Sequence, residues 1–368
     1  MNGQSFLDQS LFQTPPTADE IEISIFGRGF GECIVLCCKN QKFIVIDSFV
    51  NSSTSNPIAI DYLNSLNLPI SSISEVVLTH WHQDHISGIS DILNEASKEV
   101  KLVISPIIRE QKFNQYISRG FEENNPSTKE FRKVYDFIRD RNGENVIFAT
   151  VDKRIYSNEH EEEAEVYSLS PSDKDLFRFL DKILLPSSKQ ATSYCFPSDN
   201  LLSIVLLLKY NGDGFLLGSD MESTNSKEDG WGKIVNEYAH PKTKSSVFKV
   251  PHHGSITGHL DEIWTTLLQE KPISATTVYN KNSKLPTEED IERIKALSSK
   301  FFVVGNKGKK DKDIALKIKK VMPNTKISTI PQDIGVFRYR KNTVDGSEKI
   351  ETFGCVQEYI SDKALAFV

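Results

Sequence analysis

Residues 79 to 88 read Thr79-His80-Trp81-His82-Gln83-Asp84-His85-Ile86-Ser87-Gly88. Three imidazoles and a carboxylate fall within six positions of a 368-residue chain that holds only eight histidines. The apolar run Val76-Val77-Leu78 just before them reads as a buried strand. After them, Ile86, Ile89, Ile92 and Leu93 keep a helical period. A strand that ends in a tight loop before a helix aims several short side chains at one point. Imidazole nitrogen and carboxylate oxygen are donors that a borderline divalent ion such as Zn2+ accepts. The stretch reads as a metal site at a strand's end.

Two more segments share that layout. Phe215-Leu216-Leu217-Gly218-Ser219-Asp220 is an apolar strand ending in a carboxylate. Val247-Phe248-Lys249-Val250-Pro251-His252-His253-Gly254-Ser255 is another strand, ending in paired histidines. Five of the eight histidines thus lie just beyond strand ends, which points to their convergence on one site.

The rest of the composition is that of a folded protein, with 38% hydrophobic and 26% charged residues. A net charge of -6 excludes a broad nucleic-acid-coating surface, though not a local basic groove. No apolar run has the length of a membrane span; Leu201 to Leu208 is strand-sized. The first residues, MNGQSFLDQSLFQTPP, lack the basic-then-apolar pattern of a secretory signal. Among five cysteines, Cys37 and Cys38 are adjacent and face opposite sides of a strand, so they do not pair. Free buried thiols and a reducing, cytoplasmic setting are expected.

Along the chain, Ile21–Phe26, Cys33–Cys37 and Phe43–Asp47 read as three strands of a meander. The intervening G-R-G-F-G-E, Gly27 to Glu32, is a tight turn: a dinucleotide fingerprint would need a helix after it. Asn56–Leu66 is helical and Glu75–Thr79 is the strand that delivers the histidines. Residues 106–165 are more polar, with helical stretches at Glu110–Ser118 and Lys129–Asp140 and an acidic run at Glu159–Glu165, and read as an insertion beside the core. Strands follow at Val166–Leu169, Leu202–Tyr210 and Phe215–Leu217, the last two joined by the hairpin signal Asn211-Gly212-Asp213-Gly214. Helices are expected at Asp173–Leu185, Trp231–Tyr238, Leu260–Leu268 and Glu288–Leu297. Strands are expected at Ser246–Val250, Ile273–Val278, Phe301–Val304 and Val336–Tyr339. Without a repeat or long linker, the chain reads as one α/β unit over 1–368, with 301–368 as a C-terminal extension.

The sequence resembles the metallo-β-lactamase superfamily, and within it the soluble domain of ComEC-type competence proteins and their stand-alone relatives. The motifs that carry the resemblance are Gly29-Phe30-Gly31-Glu32, Ile46-Asp47, Leu78 to Gly88, Asn200-Leu201-Leu202-Ser203, Leu216 to Asp220 and Val250 to Ser255. It implies an α/β (α+β) fold: a four-layer αββα sandwich, here with a helical insertion, and two divalent ions, Zn2+ or Mn2+, at one edge. His80 and His82 would hold the first ion, Asp84 and His85 the second, and Asp220 would bridge. One of His252 and His253 would complete the second position, with His253 preferred. A hydroxide formed on the bridged pair would attack a phosphate ester, with Asp84 in the catalytic set and His252 binding a phosphoryl oxygen or protonating the leaving group. Asp47 would buttress a ligand histidine, while Asn200, Ser203 and Ser255 would support the site or touch substrate. The sequence departs from the pattern at four points. No histidine but His160 stands between the first cluster and Asp220, Glu32 replaces an aspartate, Ser219 intervenes before Asp220, and Leu285 stands where a histidine is usual.

The function expected is a phosphodiesterase or nuclease acting on nucleic acid or a nucleotide. The lysine-rich stretches Lys307 to Lys312 and Lys317 to Lys320 are candidate guides for a phosphate backbone. One alternative keeps the ions but hydrolyses a small phosphocholine-type phosphoester or a lactone. A second is a non-catalytic, metal-stabilised module acting through a protein partner, and a regulatory partner is compatible with the nuclease reading too.

Overall fold

The computed structural model describes residues 12–115, 125–157, 164–184, 200–224, 226–281, 283–307 and 334–360. The acidic run at 159–163, His160, Ser118, Cys195 and the lysines from Lys309 to Lys320 lie outside them. Strands β1 to β6 are Glu20–Gly27, Glu32–Cys38, Phe43–Ile46, Ile73–Leu78, Lys101–Ile104 and Val146–Phe148. Strands β7 to β10 are Lys153–Ser157, Ala164–Ser168, Leu206–Tyr210 and Asp213–Leu217. Strands β11 to β16 are Lys244–Lys249, Leu268–Thr277, Lys300–Val304, Gly335–Asn342, Glu348–Gly354 and Val356–Ile360. They form two eight-stranded sheets, ordered β15-β14-β1-β2-β3-β4-β5-β6 and β16-β13-β12-β11-β10-β9-β8-β7.

Both faces of each sheet are covered, which is why so many strands read as unbroken apolar runs. Along β2, Cys33, Val35 and Cys37 point to the helices outside the first sheet, while Ile34, Leu36 and Cys38 point between the sheets. The two neighbouring cysteines therefore do face opposite ways, and the four described cysteines are free thiols. A third apolar layer separates the second sheet from helices Gly230–Asn236 and Glu288–Leu297. The result is an αββα sandwich.

Several segments depart from the sequence reading. Among the described residues of 106–165, β6 pairs with β5 and β7 with β8, each as the edge strand of its sheet, and the helix Pro126–Asp140 stands outside them. Its buried Thr128, Phe131, Val134 and Phe137 recur every three residues and seat it on the outer layer. The described residues of the segment 301–368 are built into the sandwich as well. β14 pairs with β1 over its whole length, from Gly27↔Gly335 to Glu20↔Asn342, and β13 lies between β12 and β16. The helix expected over Leu260–Leu268 is one short wide turn, Ile263–Leu267, and β12 begins directly after it.

Strands β3 to β6 run parallel, as do β10 to β13. Parallel strands bring their C-terminal ends to the same edge, the usual seat of a ligand site in such sheets.

Candidate metal centre

At that edge Asp47 follows β3, His80 and His82 follow β4, Asp220 follows β10, and His252 and His253 follow β11. Asp84 and His85 sit on the short helix Gln83–Ile86. The chain turns sharply at these strand ends: Asp47, Ser219, His252 and His253 all have left-handed backbone, with φ of 57°, 46°, 48° and 52°. Such conformations cost of order 1–3 kcal/mol each for residues other than glycine and cluster where function holds them. Gly218 permits the close approach of two of these loops. A Cβ there would lie 2.9 Å from Pro251 Cβ and 3.0 Å from the Lys249 carbonyl.

The ligand atoms converge. His80, His82 and Asp220 present donor atoms within 4.8 Å of one another, as do Asp84, His85 and His253. Asp220 Oδ2 lies between the groups, 3.9 Å from His80 Nε2, 3.5 Å from His85 Nε2 and 3.6 Å from His253 Nε2. Asp84 Oδ2 is 3.3 Å from His253 Nε2 and 3.7 Å from His85 Nε2. Four of these buried atoms, His80 Nε2, His85 Nε2, His253 Nε2 and Asp220 Oδ1, have no hydrogen-bond partner. An unpartnered buried polar atom costs about 1–3 kcal/mol, so four facing one another call for a group that binds imidazole and carboxylate together. A pair of divalent cations meets that requirement, and the residues fit it.

The charges point the same way. Burial works to raise Asp220, yet His85 and His253 beside it hold it well below the usual carboxylate range. Burial also lowers His80, with the His85 and His82 imidazoles adding to it, so His80 is neutral and offers a lone pair. His85 is pulled down by burial but held well above the usual imidazole range by Asp220, Asp84 and Asp47. That proton supplies the positive charge a bound cation would supply instead.

Asp47 sits behind the cluster. Its Oδ1 accepts from the Thr79 amide at 2.8 Å, and its Oδ2 accepts from Thr79 Oγ1 at 2.6 Å and faces His85 Nδ1 at 2.8 Å. His252 stands apart from His253. Its Nδ1 meets Thr257 Oγ1 at 2.7 Å and Glu222 Oε1 at 3.1 Å, and its Nε2 faces Asn200 Nδ2 at 3.4 Å. Of the two histidines, His253 is thus the one with an unpartnered nitrogen, Nε2, grouped with Asp84 and His85.

A cavity of about 530 Å³ opens over the cluster. His82, Asp84, Asp220, His252 and His253 line its floor, with Trp81 and the Asn125–Ser127 end of the helical segment on one side. Phe30, Tyr279 and Lys281 stand on the other. Asn200 lines it as well, with its Oδ1 buried and unpartnered. Ser203 and Ser255 are not among the lining residues. Ser255 Oγ instead accepts from the Thr257 amide and caps a short turn. From the loop after β12, Lys281, Ser283 and Leu285 line the cavity, while Asn280 donates to the Asn306 carbonyl. Glu222, Thr257, Phe30 and Tyr279 were not singled out from sequence. Phe30 lies inside the Gly29–Glu32 motif, and Glu222 and Thr257 each stand two positions past one, at Asp220 and Ser255; Tyr279 stands near none of them.

Several known proteins are similar to parts of this chain. A family model described as the anti-Pycsar protein Apyc1 matches residues 34–191, from β2 through the histidine cluster and beyond. A Caenorhabditis elegans protein, beta-lactamase-like protein 2 homolog, is 32% identical over 78 residues, which is 19% of this chain. The match spans about a quarter, 26%, of that relative's length. Igni18, a metallo hydrolase from Ignicoccus hospitalis, is similar over 75% of this chain and 90% of its own, at 13% identity and a TM-score of 0.38. The short form of human tRNase Z is similar over 62% of this chain and 76% of its own, at 11% identity and a TM-score of 0.32.

Proposed function

We propose that this chain is a metal-dependent phosphodiesterase whose substrate is a cyclic nucleotide. The observation that carries the reading is the cavity: about 530 Å³, floored by the His/Asp cluster and walled by Trp81, Phe30 and Tyr279. That volume suits one small ligand, and the aromatic walls suit a base. The match to the anti-Pycsar Apyc1 family supports a cyclic nucleotide as the diester.

His80, His82 and Asp220 would hold one cation, and Asp84, His85 and His253 the other. When bound, the ions would offset the phosphate's charge and lower the pKa of the attacking water. The reaction is addition of water to phosphorus and cleavage of one ring P–O ester bond, leaving a nucleoside monophosphate. The departing ribose oxygen needs a proton, and His252, beside the cluster but outside it, is placed to give one. Glu222 and Thr257 hold that imidazole by Nδ1. Lys281, which donates to Gln83 Oε1 and lies 4.5 Å over the Phe30 ring, brings positive charge to the substrate side.

The resemblance to ComEC-type domains would place a nucleic-acid strand in the same cleft, and it remains the second reading. A panel separates the two. The purified chain with Mn2+ or Zn2+ is assayed on 3′,5′-cAMP, cGMP, cCMP and cUMP, on single-stranded DNA and RNA, and on bis-p-nitrophenyl phosphate. Turnover of a cyclic nucleotide with intact polymers is expected; cleavage of polymer with every cyclic nucleotide untouched would overturn the proposal.

A further inference from the structure

We propose that Lys249, Glu32 and Thr277 form a one-way hydrogen-bond relay that fixes the tautomer of His253, and that this relay sets the cation affinity of the position His253 shares with Asp84 and His85. The inference rests on reading those three residues as metal ligands.

The direction of each bond follows from donor inventory. Lys249, on β11, is fully buried, and so is Glu32 at the start of β2. Lys249 Nζ lies 2.6 Å from Glu32 Oε1 and donates to the Ser219 carbonyl at 3.0 Å. An ammonium only donates and a carboxylate only accepts. Glu32 Oε2 therefore takes the hydroxyl hydrogen of Thr277, whose Oγ1 is 2.5 Å away. A hydroxyl has one hydrogen. With it committed to Glu32, the Thr277 oxygen can only accept from His253 Nδ1, at 2.9 Å. The His253 ring hydrogen is thereby held on Nδ1. Its Nε2 faces Asp84 and Asp220 as a lone pair with no hydrogen-bond partner.

Two further observations favour orientation over stability as the purpose. A buried ion pair is often no more stabilising than apolar residues of the same volume, yet this one spans the two sheets directly behind the ligands. The same ammonium also grips the carbonyl of Ser219, the left-handed residue before Asp220. The other half of the cluster uses a matching device. Thr79 Oγ1 gives its hydrogen to Asp47 and stands 3.0 Å from His80 Nδ1, leaving His80 Nε2 toward the cluster. A carboxylate, a threonine and an imidazole are thus aligned twice, once at the edge of the first sheet and once across the two sheets.

The test titrates Co2+ into the metal-free full-length protein and follows visible absorption and heat for wild type, Thr277→Val, Thr277→Ser and Glu32→Gln. Thr277→Val is expected to weaken one of the two cation positions about 10–100-fold and leave the other unchanged, with Thr277→Ser recovering wild-type affinity. In Glu32→Gln, Lys249 would hold the amide oxygen and turn the amide N–H toward Thr277. That reverses the relay and puts the ring hydrogen on Nε2, so the loss should be at least as large. If that variant fails to fold, the two Thr277 variants decide the matter. Two Co2+ positions of wild-type affinity in Thr277→Val, or a loss that Thr277→Ser does not recover, would overturn the relay while the metal reading stands. A wild-type chain that binds no Co2+ would overturn the metal reading itself.

Discussion

Replacing Asp47 with asparagine probes the site with little disturbance elsewhere. Asparagine adopts left-handed backbone as readily as aspartate, so the φ of 57° at this position is kept. The carboxylate meets three donors: the Thr79 amide at 2.8 Å, Thr79 Oγ1 at 2.6 Å and His85 Nδ1 at 2.8 Å. A carboxamide has one accepting oxygen. Its better orientation puts that oxygen where Oδ2 stands, against two donors, and turns the NH2 toward the Thr79 N–H. One buried N–H then loses its partner, at a cost of about 1–3 kcal/mol whether or not an ion is bound. A second loss appears only with the ion, because the His85 imidazole no longer leans on a charge. Such a change costs about 10–100-fold in metal affinity, or about 1.4–2.7 kcal/mol, and this adds to the stability difference when the ion exceeds both dissociation constants. Urea unfolding followed by circular dichroism, once with EDTA and once with excess Mn2+ or Zn2+, reads the two losses separately. The gap between Asp47→Asn and wild type should widen when the ion is added. An equal gap in both conditions would refute the role of Asp47 behind a ligand and leave it as a support of the loop after β4.

Three other outcomes follow from the same geometry. His252→Gln should keep the full ion content, measured by elemental analysis, while kcat on the active cyclic nucleotide falls about 10²–10⁴-fold; loss of bound ion in step with activity would move His252 into the ligand set. Arg340 Nε lies 2.7 Å from Glu22 Oε2 with both groups buried, so Arg340→Ala strands a carboxylate in the interior. A loss of about 3–5 kcal/mol is expected in urea, and an unchanged midpoint would contradict the pairing. Burial pushes the Cys33, Cys37 and Cys38 thiols well above their ordinary value, so they stay protonated even at mildly alkaline pH. Of the five thiols, at most two should react with a disulfide reagent in the native protein at pH 8, and all five in urea; rapid reaction of three or more in the native state would refute this.

How much of this could be read from sequence depended on where each residue's partners lie. Strands covered on both faces, such as β2 and β9, announce themselves as apolar runs whatever they pair with. The strands missed were short or polar. Lys153–Ser157 and Glu348–Gly354 lie at sheet edges and are largely solvated, and edge strands keep charge on their open side. Their polarity made 106–165 read as an insertion and 301–368 as an extension. The candidate ligands were legible because each lies shortly after a strand. Thr277 was not: its value lies in a contact with Glu32, 245 residues away, and a lone threonine at a strand's end carries no signal of that.

The candidate ligands are also divided between the two sheets, which bears on the polar apparatus around them. His80, His82, Asp84 and His85 follow β4 of the first sheet, while Asp220 and His253 follow β10 and β11 of the second. The layer between the sheets is apolar, and apolar contact is non-directional. It can press the sheets together but cannot set where one edge stands relative to the other to within a fraction of an ångström. Directional bonds can. The Glu32–Lys249 pair crosses that layer beside the ligands, and Thr277 passes its orientation to His253, while Asp47 and Thr79 hold the first-sheet imidazoles. Four unpartnered atoms and four left-handed residues gather at that edge, at a cost to the fold that three apolar layers offset. A sandwich held by packing alone would have no need of two buried carboxylates so close to its rim.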